Sequence, residues 1–128
     1  TSWAKFRLLM DITEFLTYRP YGVKRLDKIW AKIGKRLETG SEAEYKLAII
    51  EADALLNEVL ERTGLKGETL GERLKQLTVK ILPNIENAWE AHKTRNNIVH
   101  DPDYRFNLDQ ARKTLAIYEK SLQDLQVF

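Results

Sequence analysis

Apolar residues recur at intervals of three and four along most of this chain, the period of an amphipathic α-helix. The clearest stripe runs through Tyr45, Ala48, Ile49, Ala52, Leu55, Leu56, Val59 and Leu60. Ahead of it, Ser41-Glu42-Ala43-Glu44 has the form of a capping box, with Ser41 as N-cap and Glu44 reaching back, and Gly64 supplies a C-terminal stop. Thr69 with Glu72 makes a second such pair, opening a short helix through Leu77. Asn107 with Gln110 opens the last helix, whose core face is Leu108, Ala111, Leu115, Tyr118, Leu122 and Leu125. Pro83 suits the first turn of a helix that Asp101-Pro102-Asp103 ends. The β-branched and apolar span from Thr78 to Leu82 takes no assignment.

Toward the N-terminus, Val23, Leu26, Ile29, Trp30, Ile33 and Leu37 form another stripe, with Gly40 after it. Trp3, Phe6, Leu9, Met10, Thr13 and Leu16 repeat at the same spacing, and Arg19-Pro20-Tyr21-Gly22 breaks the chain between the two. No strand pattern or internal repeat is present. The chain therefore reads as all-α, an antiparallel up-and-down bundle of four to five helices with short connections. Residues 1–21 form an N-terminal amphipathic segment and residues 22–128 the helical domain. The aromatic face of that first segment suits the domain itself, a second subunit or a lipid interface.

The helix after Pro83 departs from the apolar rule. At about 100° per residue, Ile85, Ala88, Trp89, His92, Asn96 and Val99 share one face, with Arg95 and His100 on its flanks. Glu86, Glu90, Lys93, Thr94 and Asn97 fall opposite and read as solvated. The stripe begins as core and ends polar, in Arg95-Asn96-Asn97-Ile98-Val99-His100. Burying such groups without partners is costly, so they are expected to line a cleft or an interface.

Composition narrows the chemistry. The 128 residues are 43% hydrophobic and 31% charged, a globular balance for one domain. No cysteine is present, which removes disulfides, thiolate zinc sites and cysteine nucleophiles. His92 and His100 lie too far apart on one helix for the i,i+4 zinc pair, so no metal site is expected, nor any cofactor. No phosphate-cradling glycine loop or nucleophile elbow appears. No stretch reaches the roughly 18 apolar residues of a membrane span. The chain begins at Thr1 rather than Met, which leaves room for a membrane anchor or targeting segment ahead of it.

The net charge of +2 is unevenly spread. Residues 1–40 carry nine basic and four acidic side chains, an excess of five positives. Residues 41–72 carry three basic and eight acidic, an excess of five negatives. The run Lys24, Arg25, Lys28, Lys32, Lys35 and Arg36 could meet phosphate on nucleic acid or on an anionic membrane, or be a solvated helix face.

A guanidinium, an amide and an imidazole at one helix end are the parts of metal-free RNA cleavage. Arg95 can hold a phosphate, Asn96 can orient its neighbours, and His100 can move a proton. One copy makes a sparse site, so two copies meeting across a homodimer are expected.

Arg95-Asn96-Asn97-Ile98-Val99-His100 resembles the signature of the HEPN domain family: arginine, a polar residue, several intervening positions, then histidine. The resemblance covers Ser41 to the C-terminus and extends to the helix around Val23 to Leu37. It implies a helical bundle, a homodimer with the motif facing a shared cleft and, in active members, metal-independent ribonuclease activity. Other members only bind RNA, nucleotides or protein partners. Carried onto this chain, it makes Arg95 the phosphate contact, Asn96 the residue shaping the site and His100 the proton-transfer residue. Toxin members paired with a nucleotidyltransferase carry a tyrosine two residues after the histidine; here that position is Pro102 and the nearest tyrosine is Tyr104. Ala48 to Asp53, Gly67 to Leu74 and Ala88 to His92 are also similar to bacterial proteins in which such a domain follows an N-terminal membrane helix. That resemblance implies a cytoplasmic domain tethered to the inner face of a membrane.

Two functional readings stand open on the sequence. One is a homodimer that binds or cleaves RNA through Arg95, Asn96 and His100. The other is a non-catalytic interaction or scaffold module at a membrane. A purely structural role would have Arg95 bonded to an acid such as Asp53, His100 closing the Asp101-Pro102 turn, and His92 half-buried beside Trp89.

Overall fold

The computed structural model describes residues 20–125, with side chains from Arg25 onward. Among them are five α-helices and no strand: α1 (Pro20–Lys35), α2 (Glu42–Arg62), α3 (Leu70–Leu74), α4 (Ile85–His100) and α5 (Leu108–Asp124). A 3-10 turn, Arg36–Glu38, continues α1. The all-α bundle expected from periodicity is what forms. The expectations for residues 1–19 lie outside the described residues.

Side-chain pairings reveal the direction of each helix. Arg25 reaches Glu58 and Arg36 reaches Glu44 and Glu51, so α1 and α2 run antiparallel. Asn84, at the start of α4, donates to the Ile117 carbonyl and accepts from Ser121, near the end of α5; those helices are antiparallel too. Glu42 at the start of α2 accepts from the Phe106 N–H just before α5, and Asp53 meets Tyr118 halfway along both. The helices α2 and α5 therefore run in the same direction. They form the central pair, with α1 and α4 on opposite flanks and, among the described residues, no close backbone approach between those two.

The core follows from these faces. Every predicted apolar position of α2 is buried, as are Ala111, Leu115, Tyr118, Leu122 and Leu125 from the α5 stripe. Leu26 and Ile33 of α1 close one side, and Leu70, Leu74, Leu77, Ile81 and Leu82 close the other.

Caps account for the helix ends, with four departures from the sequence pattern, one being that Thr69 accepts from the Glu72 N–H while the Glu72 carboxylate turns to the Glu68 N–H. Asn107 and Gln110 form the full reciprocal box. Ser41 accepts from the Glu44 N–H, but the Glu44 carboxylate is taken by Arg36 instead of reaching back. A guanidinium is a stronger partner for a carboxylate than a single backbone N–H. The helix α4 starts at Ile85, with Pro83 ahead of it rather than in its first turn, because Asn84 is held by α5. The helix α3 ends at Leu74, short of Leu77, and residues from Thr78 form tight turns whose carbonyl at Thr78 accepts from Ile81 and Leu82.

The loop before α3 is held by a buried arginine. Arg73 is 5% exposed and donates to the Leu65 and Gly67 carbonyls and to Asn57 Oδ1. Gly67 has φ +141°, a conformation that residues with a Cβ rarely adopt. Arg73→Ala removes the donors of three part-buried hydrogen bonds and leaves a gap where a buried side chain packed. It is expected to cost about 3 kcal/mol in urea unfolding, with no change in helix content of the native state.

Candidate functional site at the end of α4

The polar groups of α4 are organised by a residue on another helix. Asp53 lies in the middle of the buried stripe of α2, flanked by Ala52 and Leu56, and is 3% exposed. A buried carboxylate is costly unless donors surround it. Its Oδ2 accepts from the Tyr118 hydroxyl at 2.7 Å and lies 2.8 Å from His92 Nδ1. Its Oδ1 lies 3.6 Å from Arg95 Nε. Three helices thus meet at one carboxylate.

The donors can be assigned. A carboxylate only accepts, so His92 carries a proton on Nδ1 and turns Nε2 away from Asp53. That nitrogen faces Gly71 on α3, where a Cβ would sit 3.5 Å away. Trp89 packs edge-on against the His92 ring, with centroids 6.2 Å apart. The expectation of a histidine beside Trp89 holds, but the ring is buried rather than half-buried, because Asp53 draws it in.

Arg95 is held differently. At 3.6 Å its Nε attracts Asp53 without a hydrogen bond, and that nitrogen is buried without any hydrogen-bond partner. Its Nη1 donates to Asn96 Oδ1 at 2.9 Å. The side chain is 33% exposed, so the guanidinium spans from the buried carboxylate to the surface. Asn96 is half-buried beside it.

The buried face of α4 is rotated from the one expected. The buried positions are Ala88, Ala91, His92 and Ile98. At about 100° per residue their directions centre near Arg95, which was expected on the flank. Val99, expected to point inward, is 47% exposed. Two alanines at 0% and 1% exposure explain the rotation: small side chains let α4 approach α2 and α5 closely on that side. The large residues that dominated the sequence pattern, Ile85 and Trp89, sit at the edge.

His100 is exposed in the last turn of α4, and among the described residues no side chain hydrogen-bonds its ring. The Asp101-Pro102 turn is closed without it, by the Asp101 N–H on the Asn97 carbonyl and by the Asp103 N–H on Asp101 Oδ1. Of the three residues singled out by the sequence, Arg95 and Asn96 are therefore joined and His100 stands apart from their hydrogen bonds. No group of histidine and acidic side chains among the described residues is arranged to hold a metal ion.

The sequence offered Asp53 only as a partner for Arg95; its bond to His92 and the part played by Tyr118 were missed. The signal was present for Asp53: an acid interrupts an otherwise apolar helical stripe, the same anomaly that marks α4. Tyr118 gave none, since a tyrosine in a core stripe reads as apolar bulk.

Comparison with protein-family models, with curated proteins and with solved structures finds no match to this chain.

Two predictions test the network. Asp53→Ala strands a buried imidazole and hydroxyl and leaves the inner nitrogen of Arg95 without a compensating charge, and is expected to lower stability by about 3–5 kcal/mol in urea unfolding. The second uses pH. Burial, and then the charge and hydrogen bond of Asp53, raise the Tyr118 pKa far above its ordinary value, against a smaller opposing effect of Arg95. The folded state thus holds this proton more tightly than the unfolded chain, where tyrosine titrates near about 10. That contribution is whole below about pH 10 and falls by about 1.4 kcal/mol per pH unit above it. Tyr118→Phe is expected to lose about 2 kcal/mol at neutral pH and to lack this alkaline decline. A parallel decline in both proteins would show that Tyr118 is not the group responsible.

Proposed function

We propose that this chain is a HEPN-like module that binds RNA as a homodimer, with the end of α4 at the shared face. The observation that carries the reading is the posture of Arg95. Its inner nitrogen is steadied by the Asp53 charge and one outer nitrogen by Asn96, while the side chain reaches the surface. A guanidinium fixed in this way is pre-oriented for a phosphate, which it can meet with little loss of side-chain freedom. The order of Arg95, Asn96 and His100 along the exposed end of α4 supports the resemblance to the family signature. Val99, apolar and exposed between them, supports a protein contact at the same place. RNA as the ligand goes with a cytoplasmic location.

Binding is favoured over cleavage by the same geometry. A proton-transfer residue is effective when its ring is oriented toward the reacting atom. The oriented histidine here is His92, which is buried on Asp53, whereas the His100 ring is exposed without a hydrogen-bond partner among the described residues.

The test is titration of a labelled single-stranded RNA with the chain in the presence of a metal chelator, followed by fluorescence anisotropy and by gel. Wild-type protein is expected to bind and Arg95→Gln to bind at least about tenfold more weakly, the effect of losing one charged hydrogen-bonding contact. Val99→Asp is expected to give a monomer by sedimentation. RNA fragments that disappear in His100→Ala would extend the reading to a nuclease. Failure of the wild-type protein to bind RNA would overturn it in favour of an interaction module.

A further inference from the structure

The basic residues of α1 fall into two groups with different surroundings. The two arginines of α1 and its 3-10 continuation are paired with acids of α2: Arg25 with Glu58 at the surface, and the half-buried Arg36 with Glu44 and Glu51. Lys28, Lys32 and Lys35 are exposed, and among the described residues none of them forms an ion pair or hydrogen bond. At about 100° per residue these lysines share one stripe, opposite the direction of Leu26, Trp30 and Ile33, which face the core. The one acid of α1, Asp27, projects about 100° away from Lys28, toward the side.

Attraction for phosphate is the shared chemistry of such a stripe, and its composition separates the two sources. Proteins that bind single-stranded nucleic acid add aromatic platforms, arginine planes or hydrogen-bonding amides to their charge. The α1 stripe has none of these: Trp30 is turned inward and donates to Glu119, and both arginines are engaged. Clustered lysine charge alone is what an anionic lipid surface requires. Position agrees with this. The stripe lies on the flank opposite α4, so a surface covering α1 leaves the α4 end open.

We propose that the outer face of α1, through Lys28, Lys32 and Lys35, docks this chain on an anionic lipid headgroup surface. This contact is electrostatic and peripheral; among the described residues no helix is long and apolar enough to cross a membrane. It is independent of the RNA reading, because it uses a different helix on the other side of the bundle.

Sedimentation of the full chain with phosphatidylcholine vesicles, with and without phosphatidylserine, tests the proposal. Wild-type protein is expected to pellet with the phosphatidylserine vesicles only and to be released as salt is raised. Each lysine near such a surface strengthens binding by about a factor of five. The triple variant Lys28→Gln, Lys32→Gln, Lys35→Gln is thus expected to bind about a hundredfold more weakly, with an unchanged thermal melt. Arg95→Gln is expected to pellet like wild type. The proposal is overturned if the wild-type chain ignores phosphatidylserine, or if the triple variant binds vesicles as well as wild type does. Loss of RNA binding in the triple variant, with vesicle binding intact, would assign the stripe to nucleic acid instead.

Discussion

A carboxylate removed from water has to be given donors by the protein, and Asp53 obtains its donors from two other helices, α4 and α5. His92 and Tyr118 lie 39 and 65 residues away in sequence, and both come to the same oxygen. That requirement fixes the rotation of α4, the register of α5 against α2 and the depth to which Arg95 enters the bundle. Apolar packing alone permits helices to slide or turn by small steps with modest loss, whereas a charged hydrogen bond lost in the interior is expensive. The parallel pairing of α2 with α5 is pinned twice, at Asp53 and at Glu42. The Phe106 N–H holds the Glu42 carboxyl below the usual carboxylate range, with Arg105 and Lys46 nearby adding to the effect.

The helices were legible in the sequence because capping and periodicity are local properties. Asn107 and Gln110 announce α5, and the stripe from Tyr45 to Leu60 announces α2, with little help from the rest of the molecule. The errors fall where a distant partner intervenes. Glu44 forsakes its own helix for Arg36, Asn84 is claimed by Ser121, and the buried face of α4 turns toward two alanines that no measure of hydrophobic bulk would emphasise. The candidate site was legible in part for the same reason. A polar end to an apolar stripe is visible along one helix; the acid that organises it sits on another, and no local rule joins them.

Charge on this chain is arranged in space more than composition suggests. The near-neutral total conceals an acidic α2 that neutralises the arginines of α1 and leaves the lysines facing outward. Arginine, with its planar fork, is used where geometry is fixed; lysine, a hydrated point charge on a flexible stem, is left where none is needed. The two flanks of the bundle therefore offer different chemistry, diffuse positive charge on α1 and a small set of positioned polar groups on α4.

The convergence of His92, Tyr118 and Arg95 on Asp53 also limits how this sequence can drift. Removing Asp53 strands the His92 ring and the Tyr118 hydroxyl, and removing any one of its partners takes a donor or a compensating charge from the buried carboxylate, so single steps away from the network are steep. Joint replacement by apolar residues of similar volume carries no such penalty, since no charge is then left stranded. The four positions form one heritable unit spread over three helices. Descendants of this chain should retain the set whole or lose it whole, and a lineage that has lost it gives up the support on which the Arg95 guanidinium rests.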